Sequence, residues 1–207
     1  MNKAIFLDKD GTLIENIPYN IDPEKIRLYE GVPEALQQLK NAGFQLIIVT
    51  NQPGVAYGYF EEQKLNHLWR AFGKIFAKED VVIDGFYYCP HHGQGSVKEY
   101  SIECTCRKPL PGMICQAARD HDIDLSRSWM IGDILHDVEA GNRAGCKTIL
   151  INNGNETEWE YNKLRTPTYM VWNIREAAQK IVGDEKNKVR EEEKGYERSI
   201  ERADREL

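Results

Sequence analysis

Two aspartates near the start of the chain, Asp8 and Asp10, have the types and spacing for phosphoryl transfer. They lie in the string Asp-Lys-Asp-Gly-Thr at residues 8–12, at the end of an apolar run typical of a buried β-strand. One carboxylate can attack phosphorus and form an aspartyl-phosphate. The other can donate a proton to the leaving oxygen and then accept one from water. The alternative interpretation is that both residues only cap a turn.

Further along the chain, other positions carry groups that suit the same chemistry. Thr50 closes a second apolar run with a hydroxyl, and Lys108 supplies a point charge for a phosphoryl group. Asp133 follows another apolar run, with Asp137 four residues later on the first turn of a predicted helix. Because Mg²⁺ prefers hard oxygen ligands, Asp8 and Asp133 together suit a magnesium ion.

The elements that must position these residues alternate along the chain. Apolar, β-branched runs predict strands at residues 3–8, 45–50, 85–89, 128–132, 147–151 and 169–172. Three- and four-residue apolar spacing predicts helices at residues 32–42, 61–78, 111–121, 134–144 and 174–182. This alternation predicts an α/β fold with a parallel sheet and helices on both faces. Ligands of such sheets bind at the carboxyl ends of the strands, where the residues above lie.

The order DxDGT, Thr, Lys and GDxxxD resembles the four motifs of the haloacid dehalogenase-like phosphohydrolases. This resemblance implies a Rossmann-like sheet sandwiched by helices, without a large cap domain. It implies that Asp8 is the nucleophile and Asp10 the general acid and base, while Thr50 and Lys108 stabilise the phosphoryl group. It also implies that Mg²⁺ is held by Asp8, the backbone carbonyl of Asp10 and Asp133.

A polar insert after the third predicted strand contains two paired clusters of metal-ligating residues. Cys89 and His91 form a C-x-H pair, and after twelve residues Cys104 and Cys106 form a C-x-C pair. Three thiolates and an imidazole suit a closed tetrahedral Zn²⁺ site. Metal binding would order a segment that is too polar to pack a core of its own. His92 could replace His91, and free thiols in a loop are the alternative interpretation.

The insert continues into Arg107 and Lys108. The string from residue 89 to 113 resembles the D-glycero-D-manno-heptose 1,7-bisphosphate phosphatases and, less closely, the histidinol-phosphate phosphatases. Residues 50–58 fit the heptose group as well. The resemblance implies that Asn51 and Arg107 contact the substrate, with Arg107 near the phosphate that is retained. Tyr19, in the loop expected over the sugar, is a further predicted substrate contact.

Composition narrows the classes of partner. The formal net charge of −6 leaves no basic face for a polyanion, which argues against nucleic acid as a partner. No run approaches the roughly 20 apolar residues that span a bilayer. An early charge in the N-terminal residues argues against a signal peptide, so we expect a cytoplasmic location. The five cysteines should stay reduced in that compartment.

The last 25 residues differ from the rest because charged residues dominate them. We therefore predict a phosphatase domain at 1–182, with a zinc-binding loop at 89–106, and a charged C-terminal helix or tail at 183–207. A near-heptad apolar spacing in the tail is interrupted by charge and glycine. The composition favours a frayed surface helix or a disordered tail, and a small coiled coil or partner-binding helix is the alternative.

Together these features predict a monomeric, Mg²⁺-dependent phosphatase for a small phosphorylated sugar. The resemblance implies conversion of heptose 1,7-bisphosphate to the 1-phosphate. The alternative substrates are histidinol phosphate and other small sugar phosphates. From a different class, the chain could be a zinc-stabilised binding module that has lost catalysis. A nucleic-acid 3′-phosphatase fits poorly with the net charge.

Overall fold

A parallel sheet of six strands forms the centre of the molecule. The structure is a computed structural model that describes residues 1–205, with side chains described for residues 1–191 and Lys194. The strands are β1 (Ala4–Leu7), β2 (Gln45–Asn51), β3 (Gly85–Cys89), β4 (Trp129–Gly132), β5 (Lys147–Ile151) and β6 (Tyr169–Val171). Their order in the sheet is β3-β2-β1-β4-β5-β6, and every neighbouring pair is parallel.

Within residues 1–205, five α-helices connect or follow these strands. They are α1 (Val32–Asn41), α2 (Lys64–Ala77), α3 (Gly112–Asp120), α4 (Leu135–Ala144) and α5 (Ile174–Arg205). The predicted strands and helices are all present, and their bounds differ from the predicted ones by a few residues except at the end of α5. The α/β parallel sheet predicted from the alternation is therefore confirmed.

Strand β1 separates two apolar cores because successive side chains of a strand point to opposite faces. Ile5 and Leu7 pack in the core beneath α1, α2 and α5, whereas Ala4 and Phe6 pack in the core beneath α3. All four side chains are fully buried. A strand that is covered on both faces requires a continuous apolar run, as the sequence has here.

The strand order reverses beside β1, which places a ligand-binding crevice at the centre of the sheet. From β1 the chain proceeds outward through β2 and β3, and from β4 it proceeds outward on the other side through β5 and β6. Open α/β sheets bind ligands at such a switch point, outside the carboxyl ends of the strands. The backbone amide of Asp8 donates to the carbonyl of Ile131 at 3.0 Å, which sets the two central strand ends side by side.

The predicted insert lies between β3 and α3 and contains no regular helix or strand at residues 90–108. It packs against the segment that follows β2. The amides of Ser96 and Val97 both donate to the carbonyl of Ala56, at 2.8 and 2.9 Å. The hydroxyl of Tyr100 donates to Glu62 at 2.8 Å. The insert is thus a small addition to the sheet, and residues 1–205 show no large cap domain, as predicted.

Helix α5 continues across the predicted division at residue 182. Asp184 accepts a hydrogen bond from the Tyr169 hydroxyl at 2.9 Å and pairs with Lys147 at 3.1 Å, and Glu185 pairs with Lys3. The start of the predicted tail is therefore attached to the sheet. The near-heptad positions beyond Val189 lie outside the described side chains, so the proposed tail function stays a prediction. Within residues 1–205, the structure contains no helix with the length and apolar character that a membrane span requires.

Candidate active site

Lys108 lies at the centre of the candidate site. Its ammonium nitrogen lies 2.5 Å from Asp8 Oδ1 and 2.7 Å from Asp137 Oδ1, and it donates to the carbonyl of Val49 at 2.9 Å. Asp8 follows β1, Asp137 belongs to the first turn of α4, and Lys108 ends the insert. Three segments that are distant in the sequence therefore meet at the ammonium group of Lys108, a residue that is 3% exposed.

The surroundings keep Lys108 charged. Burial alone would lower the pKa of its ammonium, but the carboxylates of Asp137 and Asp8 outweigh burial and raise the pKa above its ordinary value. A compact positive charge beside the predicted nucleophile is suited to contact a phosphoryl group.

Asp10 is held on two sides by residues that the sequence interpretation did not assign. Lys9 Nζ lies 2.5 Å from Asp10 Oδ1, and Gln52 Nε2 donates to Asp10 Oδ2 at 3.1 Å. Gln52 also donates to the Thr50 hydroxyl at 3.0 Å, so the buried Thr50 belongs to the same network. Burial raises the pKa of Asp10 despite the opposing charge of Lys9. A carboxyl that gains a proton more readily is suited to act as a general acid.

Three carboxylates form a compact acidic cluster. Oxygen atoms of Asp8, Asp133 and Asp137 all lie within 4.8 Å of one another, and all three residues are buried. Burial raises the pKa of Asp133, and the neighbouring charges of Asp8 and Asp137 raise it further. Buried carboxylates this close repel one another, and a hard divalent cation would offset that repulsion. The donor set therefore fits Mg²⁺.

The predicted magnesium ligands overlap with this cluster in part. Asp8 and Asp133 belong to it, whereas the side chain of Asp10 is directed to Lys9 and Gln52. That orientation agrees with a role for Asp10 through its backbone carbonyl, which stays a prediction. Asp137, to which the sequence interpretation gave no role, joins the cluster and pairs with Lys108.

Asn51 is bound to the backbone of the predicted catalytic lysine. Its Nδ2 donates to the carbonyl of Lys108 at 3.1 Å, and its Oδ1 accepts from the amide of Lys108 at 3.0 Å. Both ends of the amide thus attach the end of β2 to the end of the insert. The described contacts give Asn51 a positioning role, and its predicted contact with substrate stays a prediction.

Arg107 shares a cavity with Lys108. The cavity has a volume of about 590 Å³, and His92 and His136 also line it. The guanidinium of Arg107 donates to the carbonyl of His91 at 3.3 Å, which leaves further N–H groups for a ligand. A larger groove of about 1010 Å³ lies near Lys3, at the opposite end of the strands, and the motif residues do not line it. The lining of the smaller cavity includes two of the predicted site residues, Arg107 and Lys108.

Tyr19 lies in an exposed aromatic cluster. Its ring centroid is 4.8 Å from that of Tyr59 and 6.0 Å from that of Tyr57, and its backbone has a φ of 55°. Tyr57 in turn lies against His92, with its hydroxyl 3.1 Å from Nδ1 of that ring. The cluster is therefore connected to the cavity through His92. A contact between Tyr19 and substrate stays a prediction.

The paired cysteines and His91 converge as a second candidate metal centre. The three sulfur atoms lie 3.1–3.5 Å apart, and Nδ1 of His91 lies 3.3 Å from Cys106 Sγ and 3.7 Å from Cys89 Sγ. These separations are close to the edges, about 3.8 Å between sulfurs, of a tetrahedral zinc site. His91 contributes to the cluster, whereas His92 faces Tyr57. Cys115 and Cys146 do not belong to it.

The thiols of this cluster perturb one another. The hydrogen bond with Cys89 lowers the pKa of Cys106, and the same contact together with burial raises the pKa of Cys89. Thiolate is the form that ligates metal. The donor set fits Zn²⁺, and zinc binding by this chain stays a prediction.

Three polar side chains that support the motifs were not among the predicted site residues. Thr12 donates to Asp133 Oδ1 at 3.0 Å, Asn155 donates to Asp133 Oδ2 at 2.8 Å, and Gln52 holds Asp10. Thr12 belongs to the DxDGT string and Gln52 directly follows the end of β2, so their positions could have indicated them. Asn155 belongs to a loop without any motif, and only the tertiary structure brings it to the site.

Comparison with known proteins agrees with this geometry. A family model described as HAD-hydrolase-like, for haloacid dehalogenase, matches residues 105–177. The D-glycero-beta-D-manno-heptose-1,7-bisphosphate 7-phosphatase of Haemophilus influenzae is 44% identical over 155 residues, which cover 74% of this chain and 84% of that protein. The enzyme of the same name from Escherichia coli strain K12 is 41% identical over 170 residues, which cover 78% and 89%.

A solved structure has the same fold. The D,D-heptose 1,7-bisphosphate phosphatase from B. bronchiseptica, complexed with magnesium and phosphate, superposes with a TM-score of 0.71 at 28% identity and covers 88% of this chain and 99% of that chain. Its magnesium and phosphate belong to a protein with the parallel sheet described above. By its fold and by its identity to these relatives, the chain belongs to the haloacid dehalogenase-like phosphatases, in the family of the heptose-1,7-bisphosphate 7-phosphatases.

Proposed function

We propose that the chain hydrolyses the 7-phosphate of D-glycero-D-manno-heptose 1,7-bisphosphate, leaving the 1-phosphate. The single observation that carries the reaction type is the contact of Asp8 with Lys108 beside the buried acidic cluster. It combines a nucleophile, a fixed positive charge and a metal-ligating donor set at one sheet edge. The substrate follows from relatives that are 41–45% identical and carry that name.

Asp8 performs the covalent step in this proposal. A carboxylate oxygen attacks the phosphorus atom, a phosphorus–oxygen bond to Asp8 forms, and the bond to the sugar oxygen breaks. In this proposal the Lys108 ammonium contacts the phosphoryl oxygens and stabilises the charge that develops on them. The raised pKa of Lys108 keeps it protonated at neutral pH. In this proposal Thr50, which is buried near the end of β2, donates its hydroxyl to the same group.

Asp10 handles the proton. It gives a proton to the sugar oxygen as that oxygen leaves, and then takes a proton from the water that attacks the aspartyl-phosphate. The second step releases inorganic phosphate and restores Asp8. The raised pKa of Asp10 supports this role, because burial favours the protonated form that the first step needs.

Asp8, Asp133 and the backbone carbonyl of Asp10 would hold Mg²⁺. When bound, the ion supplies positive charge that offsets the carboxylates and the phosphate. Zn²⁺ in the cysteine–histidine cluster would have a different task, because a closed set of four protein ligands has no position for substrate. It would hold the insert in the shape that presents Arg107 and Lys108.

Arg107 is the residue that distinguishes a bisphosphate from a monophosphate in this proposal. A guanidinium can bind a phosphate through two parallel hydrogen bonds, and Arg107 lines the same cavity as Lys108. Arg107→Ala should therefore raise KM for the bisphosphate and change histidinol phosphate hydrolysis little. Lys108→Ala should instead lower kcat for every substrate. If Arg107→Ala lowers kcat/KM equally for both substrates, the proposed contact between Arg107 and the second phosphate is contradicted.

Phosphate release from a substrate panel tests the proposed activity directly. Heptose 1,7-bisphosphate, histidinol phosphate and simple sugar phosphates are compared by kcat/KM, with and without EDTA and Mg²⁺. We expect the highest kcat/KM for heptose 1,7-bisphosphate, and we expect hydrolysis to depend completely on Mg²⁺. A preference for histidinol phosphate would move the chain to the alternative substrate class, and no hydrolysis of any substrate would favour a binding module. A monomeric state and a cytoplasmic location stay predictions.

A further inference from the structure

The loop between β5 and β6 contains no catalytic motif, yet it makes three hydrogen bonds to two segments of the candidate active site. Asn153 Nδ2 donates to the carbonyl of Gly11 at 2.7 Å, within the DxDGT string. Asn155 Nδ2 donates to Asp133 Oδ2 at 2.8 Å. Glu156 Oε2 accepts from the amide of Leu135 at 2.5 Å, at the start of α4.

The two asparagines act as a unit. Asn153 Oδ1 accepts from the backbone amide of Asn155 at 3.3 Å while its Nδ2 holds Gly11. This arrangement fixes the start of the loop against the nucleophile segment. It thereby determines the position from which the side-chain amide of Asn155 contacts Asp133.

Asp133 is held at both carboxylate oxygens. Thr12 donates to Oδ1 and Asn155 donates to Oδ2. A carboxylate has about four lone-pair sites, so two bonds orient the group and still leave sites for a cation. Neither donor carries a charge that would compete with the cation.

The space around this arrangement is closed. A Cβ atom at Gly11 would lie 2.0 Å from Asp133 Oδ2 and 2.7 Å from Asn155 Nδ2, and Gly11 has a φ of +89°. Any side chain at residue 11 would therefore displace Asp133 or Asn155, so the backbone of Gly11 packs closely against both.

We propose that Asn155, fixed by Asn153, is a positioning residue that holds Asp133 in the orientation that binds a divalent cation. The inference rests on the magnesium site of the proposed function. It adds Asn155 as a residue that does not bind the metal itself but orients the metal ligand Asp133. Partners that orient metal ligands contribute strongly to affinity, and removing one typically costs roughly 10- to 100-fold in metal affinity.

Mn²⁺ binding to the full-length protein, without substrate, tests the proposal. Electron paramagnetic resonance measures the concentration of free Mn²⁺ in titrations of wild type, Asn155→Leu and Asn155→Ala. Leucine keeps the side-chain volume and removes the donor, whereas alanine removes both. We expect the Kd for Mn²⁺ to rise roughly 10- to 100-fold in both variants. Melting in EDTA identifies a variant that fails to fold, and the other variant then carries the test.

Asn162→Ala is the matched control. Asn162 lies in the same loop, is exposed, and accepts through its side chain from the amides of Leu164 and Arg165. We expect its Mn²⁺ affinity to equal that of wild type. A second readout is the Mg²⁺ concentration for half-maximal activity, which should rise in Asn155→Leu while KM for the sugar phosphate stays constant.

The outcomes separate this proposal from the proposed function. Wild-type Mn²⁺ affinity in Asn155→Leu, or an equal loss in Asn162→Ala, would overturn the positioning role and leave the phosphatase proposal intact. Suppose that Mn²⁺ binding depends on Asn155 but the protein does not hydrolyse heptose 1,7-bisphosphate. That result would support the positioning role and refute the proposed substrate. A wild-type protein that binds no Mn²⁺ would overturn the metal site and the positioning role together.

Discussion

The ammonium of Lys108 lies 2.7 Å from Asp137, and both side chains are almost completely buried. The same nitrogen lies 2.5 Å from Asp8, so one cation connects the first turn of α4 to the nucleophile. Burial of charge is costly unless the charge is paired, and Lys108 neutralises part of a cluster of three carboxylates. Lys108 therefore supports the structure of the site, in addition to its proposed role in the chemistry.

Removing the nucleophile should abolish turnover. Asp8→Asn retains the size of the side chain, but an amide cannot form the aspartyl-phosphate. Asp10→Asn should slow the reaction by roughly 10²- to 10⁴-fold, because it removes proton transfer only. Steady-state phosphate release measures both variants, and near-normal activity in Asp8→Asn would exclude the mechanism.

Removing the buried cation should destabilise the fold. Lys108→Met leaves three carboxylates without a protein counter-charge, and breaking a buried ion pair typically costs about 3–5 kcal/mol. The free energy of unfolding is measured in urea at pH 8 with EDTA. Lys25→Met, which removes an exposed lysine that pairs with Asp22 at 3.8 Å, is the control and should change little. Similar stabilities of the two variants would contradict a structural role for Lys108.

The metal-free protein should become less stable as pH rises. The pKa of Asp133 is raised in the folded state above its ordinary 3.8, so the folded state binds more protons than the unfolded state above that pH. The contribution of Asp133 to stability is therefore fully present below pH 3.8 and is lost as pH rises through the raised pKa of about 8. Mg²⁺ should stabilise the protein more at pH 8 than at pH 5, as measured by the unfolding midpoint.

Asp133→Asn is the control for this pH dependence. Asparagine has no proton to lose, so the EDTA-treated variant should show a flatter stability profile between pH 5 and pH 8. The same slope in wild type and variant would assign the effect to another group.

The zinc prediction has matched controls inside the chain. His91→Ala and Cys106→Ser should lower the zinc content of protein purified without chelator, because each removes one of four clustered ligands. His92→Ala and Cys115→Ser should keep one zinc per chain, since these residues lie outside the cluster. Elemental analysis gives the answer, and zinc-free wild-type protein with full activity would refute a structural site.

Two truncations separate the two parts of the C-terminal segment. Deletion of residues 192–207 should leave activity unchanged, because the predicted catalytic, substrate-binding and metal-binding residues all precede residue 134. Deletion of residues 184–207 should keep activity but lower the melting temperature, because it removes the contacts of Asp184 with Tyr169 and Lys147 and that of Glu185 with Lys3. Loss of activity in either protein would show that the segment supports the site.

The sequence by itself determined the sheet and the strand ends at which the candidate catalytic residues lie. Apolar runs covered on both faces have a pattern that helices and loops lack, and parallel strands bring Asp8, Thr50 and Asp133 to one edge whatever the loops do. The short spacing of the cysteines and His91 likewise indicated their cluster, because a metal site needs its ligands close together.

Only the tertiary structure decided which polar residues position the candidate catalytic and metal-binding residues. The pairing of Asp137 with Lys108, the attachment of Asn51 to the Lys108 backbone, and the contact of Asn155 with Asp133 join segments that are 22 to 57 residues apart. No local periodicity encodes such contacts. They depend on how the loops pack after the sheet has formed, and each of these residues read alone is typical of an ordinary turn or helix end.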